Sequence, residues 1–143
     1  MGLQVVMILP SVPESVTLAR HTLAKALRIA AVTPECVDEA QVALSEACTN
    51  VFDHVAEGQN FEVVINVGDL EVTMHILDSG PGLADNHGLA DWPDHAAERG
   101  RGLALMTAFT DEARFESEDG GGSVRLRKNL RWSAETHALE QSG

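Results

Sequence analysis

Residues 70–77, Leu-Glu-Val-Thr-Met-His-Ile-Leu, place Leu70, Val72, Met74 and Ile76 in alternation with mostly polar neighbours. A period of two predicts a strand with one buried and one wet face. A second strand is expected over 61–67, and Gly68-Asp69 between them is a hairpin signal. Such a hairpin has an apolar face that needs a cover. The cover is at hand in two helical stretches, 14–30 and 36–56. Strands are also expected at 3–9, 113–118 and 123–128, the last two joined around Asp119-Gly120-Gly121-Gly122. The expected fold is therefore α/β of the α+β kind. It is a two-layer sandwich in which a mixed, mostly antiparallel sheet carries its helices on one face.

The helix boundaries have local causes. Pro13-Glu14 opens the first helix, with Val16, Leu23, Leu27 and Ala30 near helical spacing and Arg20, Lys25 and Arg28 on a wet side. Thr33-Pro34-Glu35 reads as an N-cap, a proline at the first helical position and an acid in the first turn. Gly58 is expected to stop the second helix. Residues 83–99 show little periodicity and read as a loop, and a short helix is expected over about 102–110. A single domain over 1–132 and a polar tail over 133–143 follow from this pass.

Glu46 and Asn50 lie four apart in the second helix, so both project from one side of it. A carboxylate that accepts a proton and a carboxamide oxygen offered to a hard cation suit a magnesium–nucleotide site. Polar pairs at this spacing also line ordinary solvated faces. The hairpin's second strand runs into Asp78-Ser79-Gly80-Pro81-Gly82, where Asp78 is an acceptor fit for an amino group and the glycines permit close backbone approach. The same string would make a simple turn. Gly100-Arg101-Gly102 precedes an apolar helical stretch, 103–109, whose start favours anions. Arg101 could reach a phosphate or stay in solvent. Each piece is weak, and the ordered set is specific.

In this order the motifs resemble those of the GHKL ATPase superfamily, which has the Bergerat nucleotide-binding fold. Within it, the chain is most similar to the bacterial anti-sigma-factor serine/threonine kinases. Ser45-Glu46-Ala47-Cys48-Thr49-Asn50 with His54 matches the N box, and Asp78-Ser79-Gly80-Pro81-Gly82 the G1 box. Glu98-Arg99-Gly100-Arg101-Gly102-Leu103-Ala104-Leu105-Met106 matches the G2 box, and Gly122-Ser123-Val124-Arg125-Leu126 the final strand region. The likeness spans roughly 5–130. Ala104 departs from it, standing where many relatives carry a third glycine, and Asp53 is an added acid close to the N box.

The resemblance implies ATP and Mg²⁺ as cofactors. It makes Glu46 the catalytic base and Asn50 the magnesium ligand. It assigns Asp78, Gly80, Gly82, Gly100, Arg101, Gly102, Leu103 and Ser123 to the nucleotide, with Asp78 on the adenine amino group and residues 83–99 as the ATP lid. His54 reads as structural. The implied activity is transfer of phosphate to a serine or threonine of a small anti-sigma-factor antagonist, coupled to sequestration of a sigma factor. The family also suggests a homodimer.

Composition limits the alternatives. A formal net charge of −12 disfavours nucleic acid or an anionic membrane as a direct partner. No apolar run approaches the ~20 residues of a membrane span, and residues 1–10 lack a basic start, so a cytoplasmic protein is expected. Cys36 and Cys48 are isolated and read as reduced thiols, with Cys48 on the inner side of its helix. Two other functions fit parts of the pattern. One is an ATP-binding anti-sigma or scaffold module with negligible kinase activity. The other is a detached histidine-kinase catalytic domain, against which stands His21 followed by Thr22 rather than an acid.

Overall fold

The computed structural model describes residues 2–52, 59–78, 104–118 and 121–132. Five strands and two long helices run in the order β1 (Leu3–Pro10), α1 (Pro13–Ile29), α2 (Pro34–Phe52), β2 (Asn60–Val67), β3 (Glu71–Asp78), β4 (Glu112–Glu118) and β5 (Gly121–Asn129). Residues 104–109, between β3 and β4, are helical. The strands form one sheet in the order β1-β2-β3-β5-β4. Among the described residues every pairing is antiparallel, where the sequence reading expected a mixed, mostly antiparallel sheet.

Period two does its expected work. In β2, Phe61, Val63, Ile65 and Val67 are buried, and in β3 so are Val72, Met74 and Ile76. In β5 the inner row is Val124, Leu126 and Lys128. α1 packs against β1 and β2, while α2 packs against β3 and β5. The core between the layers includes Leu23, Leu27, Leu44, Ile65, Met74 and Met106.

Leu70 departs from the sequence reading. It lies outside β3, in the turn, and is 74% exposed. The Gly68 N–H reaches back to the Glu71 carbonyl at 2.8 Å, closing the hairpin one residue later than the alternation suggests.

The helix ends follow their local signals. The Cys36 N–H donates to Thr33 Oγ1 at 3.3 Å, which satisfies one orphan donor of α2 beside Pro34. α1 ends with Ala31 at φ 62°, the Ala31 N–H on the Arg28 carbonyl and the Val32 N–H on the Leu27 carbonyl. That is the Schellman arrangement, with alanine where glycine is usual. The expected stop at Gly58, the loop 83–99 and the tail 133–143 lie outside the described residues.

Candidate functional site

The functional side of α2 is decided by what its other side touches. Ala40, Ala43, Leu44, Ala47 and Val51 form its buried stripe. On one flank of that stripe Gln41 donates from Nε2 to the Arg20 carbonyl of α1 at 3.2 Å. At 100° per residue, Glu39, Glu46 and Asn50 fall together on the opposite flank, away from α1. Asn50 is 3% exposed, and its Nδ2 has no hydrogen-bond partner among the described residues. Glu46 is half-buried. Ser45 Oγ, beside Glu46 in the chain, is likewise buried without a partner among the described residues. Buried polar groups are normally satisfied, so an orphaned carboxamide on this flank fits a ligand that it would meet.

Asp78 ends β3 on the inner row. It pairs in register with the buried Phe61 and follows the inward Ile76 by two residues. The sheet thus brings its carboxylate to the helix-covered face, and α2 packs on that same strand. Ser123 is placed differently. It sits opposite Leu77, and it alternates with the buried Val124. Its side chain therefore belongs to the row facing away from the helices, and only its backbone borders the end of β3. Thr107 is exposed. Gly80, Gly82, Gly100, Arg101, Gly102, Leu103 and His54 lie outside the described residues.

The Cys48 thiol is buried, and burial pushes its pKa up to about 12. It stays neutral near pH 7 and is unsuited to act as a nucleophile. Among the described residues no group of three or more His, Cys, Asp or Glu side chains could hold a metal ion. Asn50, a carboxamide, is not one of those residue types.

One charged cluster escaped the sequence reading. Lys128, on the inner row of β5, is 5% exposed. Its Nζ donates to Glu39 Oε1 at 2.9 Å and to the Phe109 carbonyl at 2.7 Å. Arg131 joins Glu39 from the solvent side at 2.6 Å. The Lys128 hydrogen bond, with Arg131 adding to it, holds the Glu39 carboxyl below its ordinary 4.5. The alternation Val124, Leu126, Lys128 was the signal that could have found this lysine.

The comparisons with known proteins agree with this geometry. Residues 9–128 match the family described as a histidine kinase-like ATPase domain. The serine-protein kinase RsbW of Bacillus subtilis is 31% identical over 122 residues, covering 78% of this chain and 76% of that protein. The anti-sigma F factor of Clostridium acetobutylicum is 33% identical, covering 80% and 85%. Among solved structures, the RsbU and RsbW domains of Rv1364c from Mycobacterium tuberculosis align with a TM-score of 0.64 at 19% identity. That alignment covers 92% of this chain and 35% of the longer one. The SiaB–SiaC complex of Pseudomonas aeruginosa aligns with a TM-score of 0.56 at 16% identity, over 87% of this chain and 89% of the other. These two likenesses speak for the fold. The matched domain, the ordered boxes and the antiparallel sheet with α2 carrying Glu46 and Asn50 lead to one assignment: the chain belongs to the histidine kinase-like ATPase domain family, on its anti-sigma-factor serine kinase branch within the GHKL superfamily.

Proposed function

We propose that this chain transfers the γ-phosphate of ATP to a serine or threonine of a small anti-sigma-factor antagonist, and that it sequesters a sigma factor. The observation that carries the reading is the buried carboxamide of Asn50, whose Nδ2 has no partner among the described residues, one turn from the half-buried Glu46. Both lie on the flank of α2 that α1 leaves uncovered. The names of the related proteins, a serine-protein kinase and an anti-sigma factor, support the two halves of the reading.

The chemistry needs little covalent help from the protein. Phosphoryl transfer is mainly positioning and charge neutralisation. The acceptor hydroxyl oxygen forms a bond to Pγ as the bond from Pγ to the β,γ-bridging oxygen breaks, and ADP leaves with that electron pair. Glu46 takes the hydroxyl proton. Asp78 accepts from the adenine amino group and orients the base. Asn50 would hold magnesium through its carbonyl oxygen, and the ion would neutralise phosphate charge. With a net charge of −12, the chain has few other cations to spare for this task.

The test is transfer of radiolabel from ATP to a purified antagonist protein from the same cell, beside a sigma-factor binding assay. Label on the antagonist supports the kinase. Binding of ATP and sigma factor with no transfer to any antagonist would leave an ATP-binding anti-sigma module.

A further inference from the structure

Residues 1–13 carry no charged side chain, the longest such run in a chain with a net charge of −12. Most of that run is β1. Among the described residues β1 is an edge strand, paired with β2 alone. The other edge of the sheet is β4, which carries Glu112, Arg114, Glu116 and Glu118. Charge is a usual device that keeps an edge strand from pairing with another chain, and β1 lacks it.

The apolar surface continues on both sides of this edge. On the face of the sheet away from the helices, Val6 and Ile8 are more than half exposed. On the helix-covered row, Val5 and Met7 are only partly buried. α1 packs over β1 and β2. The Gln41 hydrogen bond to the Arg20 carbonyl marks the side of α1 that meets α2. At 100° per residue, Leu18, Thr22 and Ile29 lie on the opposite flank, towards the free edge of β1. Leu18 and Ile29 are again more than half exposed, and Lys25 borders them on the solvent side. A strand edge and a helix flank, both apolar, thus stand side by side on one lateral surface.

We infer that a second copy of the chain docks on this surface. Two β1 strands pair antiparallel about a two-fold axis, and the two α1 flanks meet above them. Charge favours an identical copy as the occupant. A chain with 22 acidic residues against 10 basic ones repels itself wherever acids meet across such an axis, and residues 1–13 avoid this in any register. With the axis at Met7, Val6 faces the partner's Ile8 and Val5 faces the partner's Leu9, so the pairs are apolar on both faces of the sheet. The surface is also large enough. The eight residues of β1 run about 26 Å, and a sheet layer with a helix layer on it is about 20 Å deep, so each copy would bury on the order of 500 Å². The total of about 1,000 Å² is where specific interfaces begin. This surface is separate from the candidate site, and the dimer does not rest on the kinase reading.

The experiment is sedimentation equilibrium on the full chain at micromolar concentration, without nucleotide. The wild type should be a dimer. Ile8→Lys and Leu18→Glu each enter the interface twice, and each should raise the dissociation constant about a hundred-fold or more. Both positions are exposed in the single chain, so the variants should keep the wild-type fold by circular dichroism. Leu70→Lys, at an exposed position in the β2–β3 turn, should dimerise like the wild type. A monomeric wild type overturns the proposal. So does a dimer that Ile8→Lys and Leu18→Glu leave intact, because its interface would lie elsewhere. If those variants do not fold, Met7→Cys decides. Cys36 and Cys48 are buried, and directly opposed residues of two antiparallel strands have Cα atoms about 4.5–5.5 Å apart, within reach of a disulfide. Mild oxidation should link Met7→Cys chains in pairs and leave Leu70→Cys chains single. No linking through Met7→Cys, or equal linking of the two, overturns the docking face. A monomeric wild type whose binding of sigma factor is abolished by Ile8→Lys would give the edge to that partner and refute self-association.

Discussion

Asn50 and Glu46 stand one turn apart on α2 but at different depths: Asn50 is 3% exposed, and Glu46 is half-buried. The carboxamide is desolvated and the carboxylate keeps contact with the surface. That division suits an amide held against a metal–phosphate group and a base that must meet a hydroxyl from another protein. Asn50→Ala is expected to lower both nucleotide affinity and turnover. Glu46→Ala should leave ATP affinity nearly intact and slow phosphotransfer by about 10²–10⁴-fold, the range for a lost general base. Calorimetry and single-turnover transfer on the two variants check the split.

Asp78 ends β3 on the inner row, and α2 packs on that strand. Asp78→Asn should weaken ATP binding about ten- to a hundred-fold, the value of one hydrogen bond to a charged acceptor. Asp38→Asn, on the exposed side of α2, is the control and should bind ATP like the wild type. Equal affinities in the two variants would make Asp78 a turn residue only.

Ala31 closes α1 at φ 62°, a conformation that costs an L-residue with a Cβ about 1–2 kcal/mol. Ala31→Gly keeps both closing hydrogen bonds and removes that strain. The expected gain is about 1 kcal/mol, net of the entropy glycine adds to the unfolded chain. For a chain of this size that raises the melting temperature by about 3 °C. A drop in stability would show that the left-handed cap carries no strain.

Glu39 titrates below its ordinary 4.5 because Lys128 and Arg131 hydrogen-bond its ionised form. A carboxyl depressed in the folded state contributes stability above its unfolded pKa. The contribution is lost as pH falls through the folded value. Stability should therefore decline from about pH 5 downward, and Glu39→Gln should flatten that part of the curve. Urea midpoints of the two proteins between pH 6 and 3 measure the difference.

Cys48 is buried with its thiol pushed up to about 12, and Cys36 is buried as well. Alkylation of the native protein at pH 8 should be slow at both. It should become rapid only in denaturant, since the thiolate is the reactive form. Fast modification of Cys48 in the folded protein would contradict its placement.

The chain's local chemistry wrote much of this structure. Alternation in 61–67 and 70–77, Pro13 and Pro34 at helix starts, Thr33 as a cap and the Gly68-Asp69 turn each act within a few residues. The element boundaries follow them closely. The spacing of Glu46 and Asn50 was legible for the same reason. Tertiary structure decided what depends on distant partners. Hydrogen bonding between strands far apart in the chain set β5 between β3 and β4 and made every pairing among the described residues antiparallel. Alternation says which residues share a row, but not which row the helices cover, so it took the register of Ser123 opposite Leu77, next to the buried Val124, to place its side chain on the row facing away from the helices. Lys128 has no reading in the sequence beyond its place at the end of the expected strand 123–128. It becomes a buried tie only because folding brings Glu39, 89 residues away, within 2.9 Å of it, and a buried ammonium persists only where such a partner offsets its lost hydration.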